Sequence, residues 1–199
     1  MSANNRLIYA VLAIFFFTFA WLAYSVFVLN QSVIYAENGV LENLQVLTLV
    51  FCFLAFLFPL KDSDRQGRLL FCWFSFLCLS FILREVDVED LDVPTALIAI
   101  GSGTGRNLML AVGFIGMGVY GLFNLAYYKQ VARSFVISKA GLLFFIAGVL
   151  LYIGGYFENL SFIHHHVFWE EAIELSGYTA LLLSALFLFK NRSLTQPDT

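Results

Sequence analysis

The sequence predicts an all-α polytopic membrane protein with six transmembrane helices, paired as three hairpins. Hydrophobic residues make up 60% of the 199 residues and charged residues only 13%, which excludes an ordinary soluble domain. The apolar residues form six runs, each close to the roughly 20 residues with which a helix crosses about 30 Å of hydrocarbon. Basic and acidic residues collect in alternate loops between these runs.

The first apolar run is too long for a secretory h-region and lacks a clear small-residue cleavage site, so we interpret it as a retained span. All six runs are continuous rather than alternating, which is typical of helices and not of barrel strands. We therefore predict one transmembrane domain over residues 1–199. Its spans are 7–29, 43–60, 69–87, 108–127, 140–157 and 168–189.

Several spans carry features of their own. The third is short enough to draw polar residues toward the membrane. The fifth has Gly141, Gly148 and Gly155 at seven-residue intervals, which predicts close helix packing. Trp169, near the start of the sixth span, is typical of the aromatic belt at a membrane interface. The cysteines Cys52, Cys72 and Cys78 lie inside apolar runs without a metal-type spacing, so we interpret them as packing residues.

The charges predict the orientation. Nine of the eleven basic residues lie in the N-terminus, the second and fourth loops and the C-terminal tail, which share one side if there are six spans. By the positive-inside rule this side is the cytoplasm, so we predict a multi-pass inner-membrane protein with both termini cytoplasmic. Eleven of the fourteen acids and all three histidines fall on the opposite, outer side.

The third loop, residues 88–105, is longer than a simple turn. Its apolar run over residues 93–100 is too short to cross a membrane, so we predict a helix on the outer surface or a re-entrant lid. The Gly-rich stretch 101–105 that follows is interpreted as a flexible turn rather than a phosphate cradle, because it lacks the P-loop lysine and a preceding strand.

The stretch from His164 to Glu174 is the main candidate site. Ionisable groups beside a membrane helix are costly and usually mark a functional position. In a helix that starts by His166, the side chains of His166, Glu170 and Glu174 lie at i, i+4 and i+8 on one face. We predict these three residues as ligands of Zn²⁺ or another divalent cation.

Polar residues of other spans are predicted to converge on the same outer region. We assign Glu42, Asp87 and Glu174 as candidate catalytic carboxylates, one of which would act as general base. Candidate substrate-binding residues are Asn38, Gln45, Arg84 and Arg106, the arginines suiting an anionic head group. In the alternative interpretation, the arginines pair with Glu42 or Glu174 and the amides hold the bundle together.

Three functions remain open from the sequence. The first is a metal-dependent membrane hydrolase or transferase that acts on a membrane lipid or lipid-linked substrate at the outer leaflet. The second is an ion- or proton-coupled transporter, although the inner halves of the spans hold few polar residues. The third is a non-catalytic membrane subunit or assembly factor. Nucleic-acid binding is not expected, because the chain has no basic patch, and the sequence does not determine an oligomeric state.

Overall fold

The computed structural model describes residues 3–61, 65–86, 88–157, 160, 162 and 164–190, and all regular structure within them is helical. The α-helices are α1 (Ala3–Phe27), α2 (Val40–Leu57), α3 (Arg65–Glu85), α4 (Thr95–Gly101), α5 (Gly103–Leu122), α6 (Leu125–Val136), α7 (Lys139–Phe157) and α8 (His166–Lys190). Short 3₁₀ turns cover Ser32–Tyr35, Phe58–Lys61 and Val88–Asp90.

Five of these helices are long and apolar enough to cross a membrane, namely α1, α2 with its following turn, α3, α7 and α8. The pair formed by α4 and α5 also satisfies these requirements, but it is bent by 61°. The chain is therefore all-α with five helices of this kind, or six if the bent pair is one span. This confirms the predicted fold class at that level.

The fourth span departs from its predicted bounds of 108–127. Helix α5 ends at Leu122 and α6 starts at Leu125, so the predicted span crosses a break in the helix. On α6, Val131 is buried while Lys129 and Arg133 are exposed. The basic segment that we interpreted as a loop is thus an amphipathic helix. A hydropathy search does not detect it, because its buried position lies between closely spaced charged residues.

The apolar run in the third loop is helical, as predicted, and forms α4. A side-chain carbon at Gly105 would collide with the backbone carbonyl oxygen of Ala99, and Gly103 has a positive φ of 50°. These two glycines therefore allow the chain to turn sharply between α4 and α5.

The helices group into two compact units. The first unit comprises the described residues up to 48 and between 137 and 190, and contains α1, the start of α2, α7 and α8. Helix α8 is its centre, since 67% of its most apolar segment is buried, against 22% for α7 and 11% for α1. One hydrophobic core cluster of this unit is formed by Leu22, Val26, Ile34, Leu41, Phe168, Ala172 and Leu175.

The second unit comprises the described residues between 49 and 136, and thus holds the rest of α2 with α3, α4, α5 and α6. Its α2 and α3 segments meet through buried side chains, and the rings of Phe56 and Phe74 stack with centroids 5.0 Å apart. On α5, Gly113 lies directly against the ring of Phe76. This glycine allows α5 to approach α3 closely.

Two glycines of the seven-residue repeat on the fifth span do not make the close helix contact that we predicted. A side-chain carbon placed at Gly148 or Gly155 would meet nothing within 4 Å. The close approach to α8 occurs instead at Gly154, which is buried, and at Gly177 of α8, which faces Leu151 of α7. Seven-residue spacing therefore identified the right helix, but only Gly141 of that repeat is buried.

Candidate functional site

The predicted site residues are divided between the two units. Asn38, Glu42, Gln45, His166, Glu170 and Glu174 belong to the first unit. Arg84 and Arg106 belong to the second, and Asp87 lies outside the described residues.

Helix α8 begins at His166, which is the start required by the predicted i, i+4, i+8 stripe. His166 and Glu170 are half-buried, whereas the side chain of Glu174 is 2% exposed. Among the described residues, no group of three or more His, Cys, Asp or Glu side chains is arranged to hold a metal ion. The helical register of the stripe is thus confirmed, while its metal ligation stays a prediction.

One polar contact in this unit joins α2 to α8. The side chain of Gln45 is fully buried, and its Nε2 donates to the carboxylate Oε2 of Glu171 at 2.7 Å and to the backbone oxygen of Glu171 at 2.9 Å. Both partners are acceptors, so they fix the orientation of the Gln45 amide. Its Oε1 is buried and has no hydrogen-bond partner among the described residues.

Glu174 lies one turn beyond Glu171 on α8, a spacing that places both carboxylates on the same side of the helix. The glycine at position 154 of α7 makes room for it, because a side-chain carbon there would lie 2.6 Å from Cγ of Glu174. We call Gln45, Glu171 and Glu174 the acid-amide cluster. It consists of oxygen acceptors and one amide donor that is already engaged.

Glu42 and Asn38, predicted as catalytic and substrate-binding residues, contact each other at the start of α2. The backbone N–H of Asn38 donates to Oε2 of Glu42 at 2.6 Å. The side-chain amide of Asn43 donates to the backbone oxygens of Asn38 at 3.1 Å and Gly39 at 2.7 Å. These contacts resemble a capping box, in which a glutamate in the first turn satisfies a backbone donor ahead of the helix.

A surface groove of about 420 Å³ lies beside this helix start. Its lining is formed by Val33, Asn38, Gly39, Val40, Asn43, Leu44 and Leu47. The lining thus combines two asparagines with the apolar side chains Val33, Val40, Leu44 and Leu47. None of the predicted carboxylates is among its lining residues.

The two predicted substrate-binding arginines both contact residues at the end of α3, within the second unit. Nε of Arg84 lies 3.3 Å from Oε1 of Glu85, with the arginine side chain 51% exposed. An ion pair of this exposure contributes about 0–1 kcal/mol. Arg106 donates from a guanidinium nitrogen to the backbone oxygen of Leu83 at 2.7 Å and so ties α5 to the end of α3.

A second polar contact of the first unit was not predicted. The hydroxyl of Tyr35 and Nδ1 of His165 lie 3.0 Å apart, and His165 has a positive φ of 56°. The ring of His165 also meets Phe27 edge-on at 5.6 Å. The histidine triplet indicated this region, but Tyr35 is an isolated residue of the first loop and carries no sequence signal.

The acid-amide cluster can accept a positive charge or a hydrogen-bond donor, because it contains two carboxyl groups and an amide oxygen that no described residue hydrogen-bonds. Oxygen-only sets of this kind suit hard cations, and carboxyl groups also carry protons. Comparison with known proteins adds no constraint, since no family model, no curated protein and no solved structure matches the chain.

Proposed function

We propose that this chain is an inner-membrane, ion- or proton-coupled transporter that binds its coupling ion at the acid-amide cluster. The observation that carries the proposal is the buried amide oxygen of Gln45, which has no hydrogen-bond partner within the described part of the chain although the same amide bonds to the carboxylate of Glu171. A buried acceptor left unpaired costs about 1–3 kcal/mol, so its retention favours a bound cation or protonated group at that position.

Further support comes from the polar residues along α8. Tyr178, Thr179 and Ser184 follow Glu174 toward the helix end, and all three are buried. Tyr178 lies four residues beyond Glu174 and therefore on the same face. Ser184 donates to the backbone oxygen of Ala140 at 2.8 Å. Helix α8 thus carries buried polar groups over much of its length, as an ion path requires.

The topology belongs to the same proposal. We infer six spans in three hairpins, with both termini cytoplasmic and the acid-amide cluster in the outer half of the membrane. The charge distribution supports six crossings rather than five. If the bent pair α4–α5 did not cross, Lys129, Arg133 and Lys139 would lie on the side opposite Arg6, against the positive-inside rule.

The proposal is tested by the thermal stability of detergent-purified protein in choline chloride and after addition of sodium, potassium, magnesium, calcium or zinc chloride. A ligand that binds only the folded state adds about 2.7 kcal/mol at 100 times its Kd. We expect one of these cations to raise the Tm of the parent and to have no effect on Glu174→Gln or Gln45→Leu. Glu37→Gln, which removes an exposed acid of the same unit, is the matched control.

Proton coupling is tested in vesicles. Protein reconstituted into proteoliposomes with an internal pH-sensitive dye is subjected to a membrane potential, and proton uptake is followed. Uptake that Glu174→Gln abolishes and Glu37→Gln preserves identifies the proton as the coupling ion. If no salt shifts the Tm and no uptake depends on Glu174, the transporter proposal is wrong, and a non-catalytic membrane subunit or assembly factor becomes the better interpretation.

The groove beside α2 favours one second candidate, a metal-dependent membrane enzyme that acts on a lipid or lipid-linked substrate. Its lining combines two asparagine side chains with apolar ones, and such a lining suits a molecule with polar and apolar parts, as a lipid has. Zn²⁺ or another divalent cation held on α8 would activate water, with Glu42 of the same unit as general base. Mass spectrometry of a bacterial lipid extract incubated with protein and divalent cations tests it, and an unchanged lipid profile would contradict it.

A further inference from the structure

Two cysteine thiols of the second unit lie in contact in the interior of the protein. Cys52 on α2 and Cys78 on α3 are both fully buried, and their sulfur atoms are 3.5 Å apart. They are separated by 26 positions in the sequence, so only the packing of the two helices brings them together. Their burial agrees with the predicted packing role, and their proximity also permits thiol-disulfide chemistry.

The helices hold the two thiols in register. Phe56 lies four residues after Cys52 and Phe74 four residues before Cys78, and these rings stack against each other. Moving four residues forward along α2 and four residues backward along α3 thus leads from the cysteine contact to the phenylalanine contact, as in an antiparallel helix pair. The stacked rings restrict sliding of the helices, so the sulfur atoms stay neighbours.

The third cysteine provides a contrast on the same helix. Cys72 of α3 is exposed, whereas Cys78 is buried. In a membrane-spanning helix the exposed side faces lipid or another protein, and not the α2–α3 contact. Cys72 therefore shares the helix and the thiol chemistry of Cys78 but lacks a sulfur neighbour.

We propose that Cys52 and Cys78 form an oxidisable dithiol that a lipid-soluble quinone converts to a disulfide between α2 and α3. Two S–H bonds break and one S–S bond forms, while two electrons and two protons pass to the quinone and yield one quinol. The sulfur atoms need to approach from 3.5 Å to about 2.05 Å. A lipid-soluble oxidant is required because charged, water-soluble disulfides do not enter an apolar helix interface.

The test uses the full chain, purified in detergent, fully reduced and kept under argon. It is incubated with a short-chain benzoquinone whose ring is fully substituted, so that thiols cannot add to it. Quinol formation is followed by absorbance, remaining thiols are counted with a maleimide after denaturation, and linked peptides are mapped by mass spectrometry. We expect one quinol per chain, a fall from three thiols to one, and a peptide that joins Cys52 to Cys78.

Variants assign the reaction to the pair. Cys72→Ser should still form one quinol per chain and fall from two thiols to none, whereas Cys52→Ser and Cys78→Ser should form none. The parent measurement alone can overturn the proposal, even if a variant does not fold. Three remaining thiols with no quinol above the Cys52→Ser level, or a disulfide only between chains through Cys72, would show that the buried thiols merely pack.

Discussion

At the scale of single residues, the position of Glu174 depends on a glycine of the neighbouring helix. Because Gly154 has no side chain, the Glu174 methylene groups can pack against the backbone of α7 at this position. Its neighbour Gly155 faces open space. Of these two adjacent glycines, only Gly154 is required for the packing of Glu174. Alanine substitution at each position therefore separates the effect of local packing from that of helix propensity.

We expect Gly154→Ala to lower the free energy of unfolding by about 1–3 kcal/mol relative to Gly155→Ala, because the added methyl group overlaps Cγ of Glu174. Both substitutions gain a similar helix propensity, of about 1 kcal/mol. Unfolding of detergent-purified protein in sodium dodecyl sulfate, followed by circular dichroism, measures the difference. Equal stability of the two variants would show that Glu174 can move aside.

At the scale of elements, the start of α2 depends on the contact between Glu42 and the backbone of Asn38. We expect Glu42→Ala to destabilise the protein by about 0.5–2 kcal/mol, as other helix-cap losses do. Glu42→Gln retains an oxygen acceptor and should restore part of this loss. Glu37→Ala, which removes an exposed acid just before the helix, should change the stability by less than about 0.5 kcal/mol.

The same Glu42 variants address its predicted catalytic role. If the residue only caps α2, Glu42→Gln retains whatever activity the protein has, while Tm falls slightly. If Glu42 is a general base, activity is lost in Glu42→Gln at nearly unchanged Tm. The two roles are thus distinguished by comparing activity with Tm in one variant.

The bend between α4 and α5 depends on Gly105, where a side-chain carbon would collide with a backbone oxygen that cannot rotate away. We expect Gly105→Ala to lower the free energy of unfolding by about 1–3 kcal/mol. Gly118→Ala on the same helix α5 meets nothing within 4 Å and should be neutral or slightly stabilising. Thermal unfolding of both variants in detergent provides the measurement, and a stable Gly105→Ala variant would contradict the sharp bend.

At the scale of the whole molecule, the number of crossings decides on which side the C-terminus lies. With six crossings, a green fluorescent protein fused after residue 199 should fluoresce, and alkaline phosphatase fused there should be inactive. Fusions after residue 92 should give the opposite result. An active phosphatase at the C-terminus would show an odd number of crossings and make the bent pair α4–α5 a re-entrant segment.

Sequence reasoning located the long helices well because membrane spans are encoded by local composition. Continuous apolar runs predicted α1, α2, α3, α7 and α8, and the start of α8 at His166 agrees with the proposed stripe. It did not find the break at residues 123–124 that separates α5 from α6. Hydropathy averages over about 20 residues and does not register a two-residue interruption between apolar segments.

The candidate site shows the same division between local and long-range information. Glu174 and Gln45 were identified because polar residues in apolar runs are conspicuous in any sequence. Their arrangement was not foreseen, since Gln45 contacts Glu171 rather than one of the three predicted ligands. The separation of Arg84 and Arg106 into the second unit was likewise unpredictable, because loop charges indicate a side of the membrane and not a neighbour.

By itself, the sequence determined that the chain is helical and strongly apolar, with acidic residues inside or beside its apolar runs, because transfer into hydrocarbon acts on each segment separately. Only the tertiary structure decided which polar groups meet. The pairs Gln45–Glu171, Tyr35–His165 and Cys52–Cys78 join residues far apart in the chain. Their contacts depend on the rotation and approach of whole helices, which small residues such as Gly154 permit and which no local pattern records.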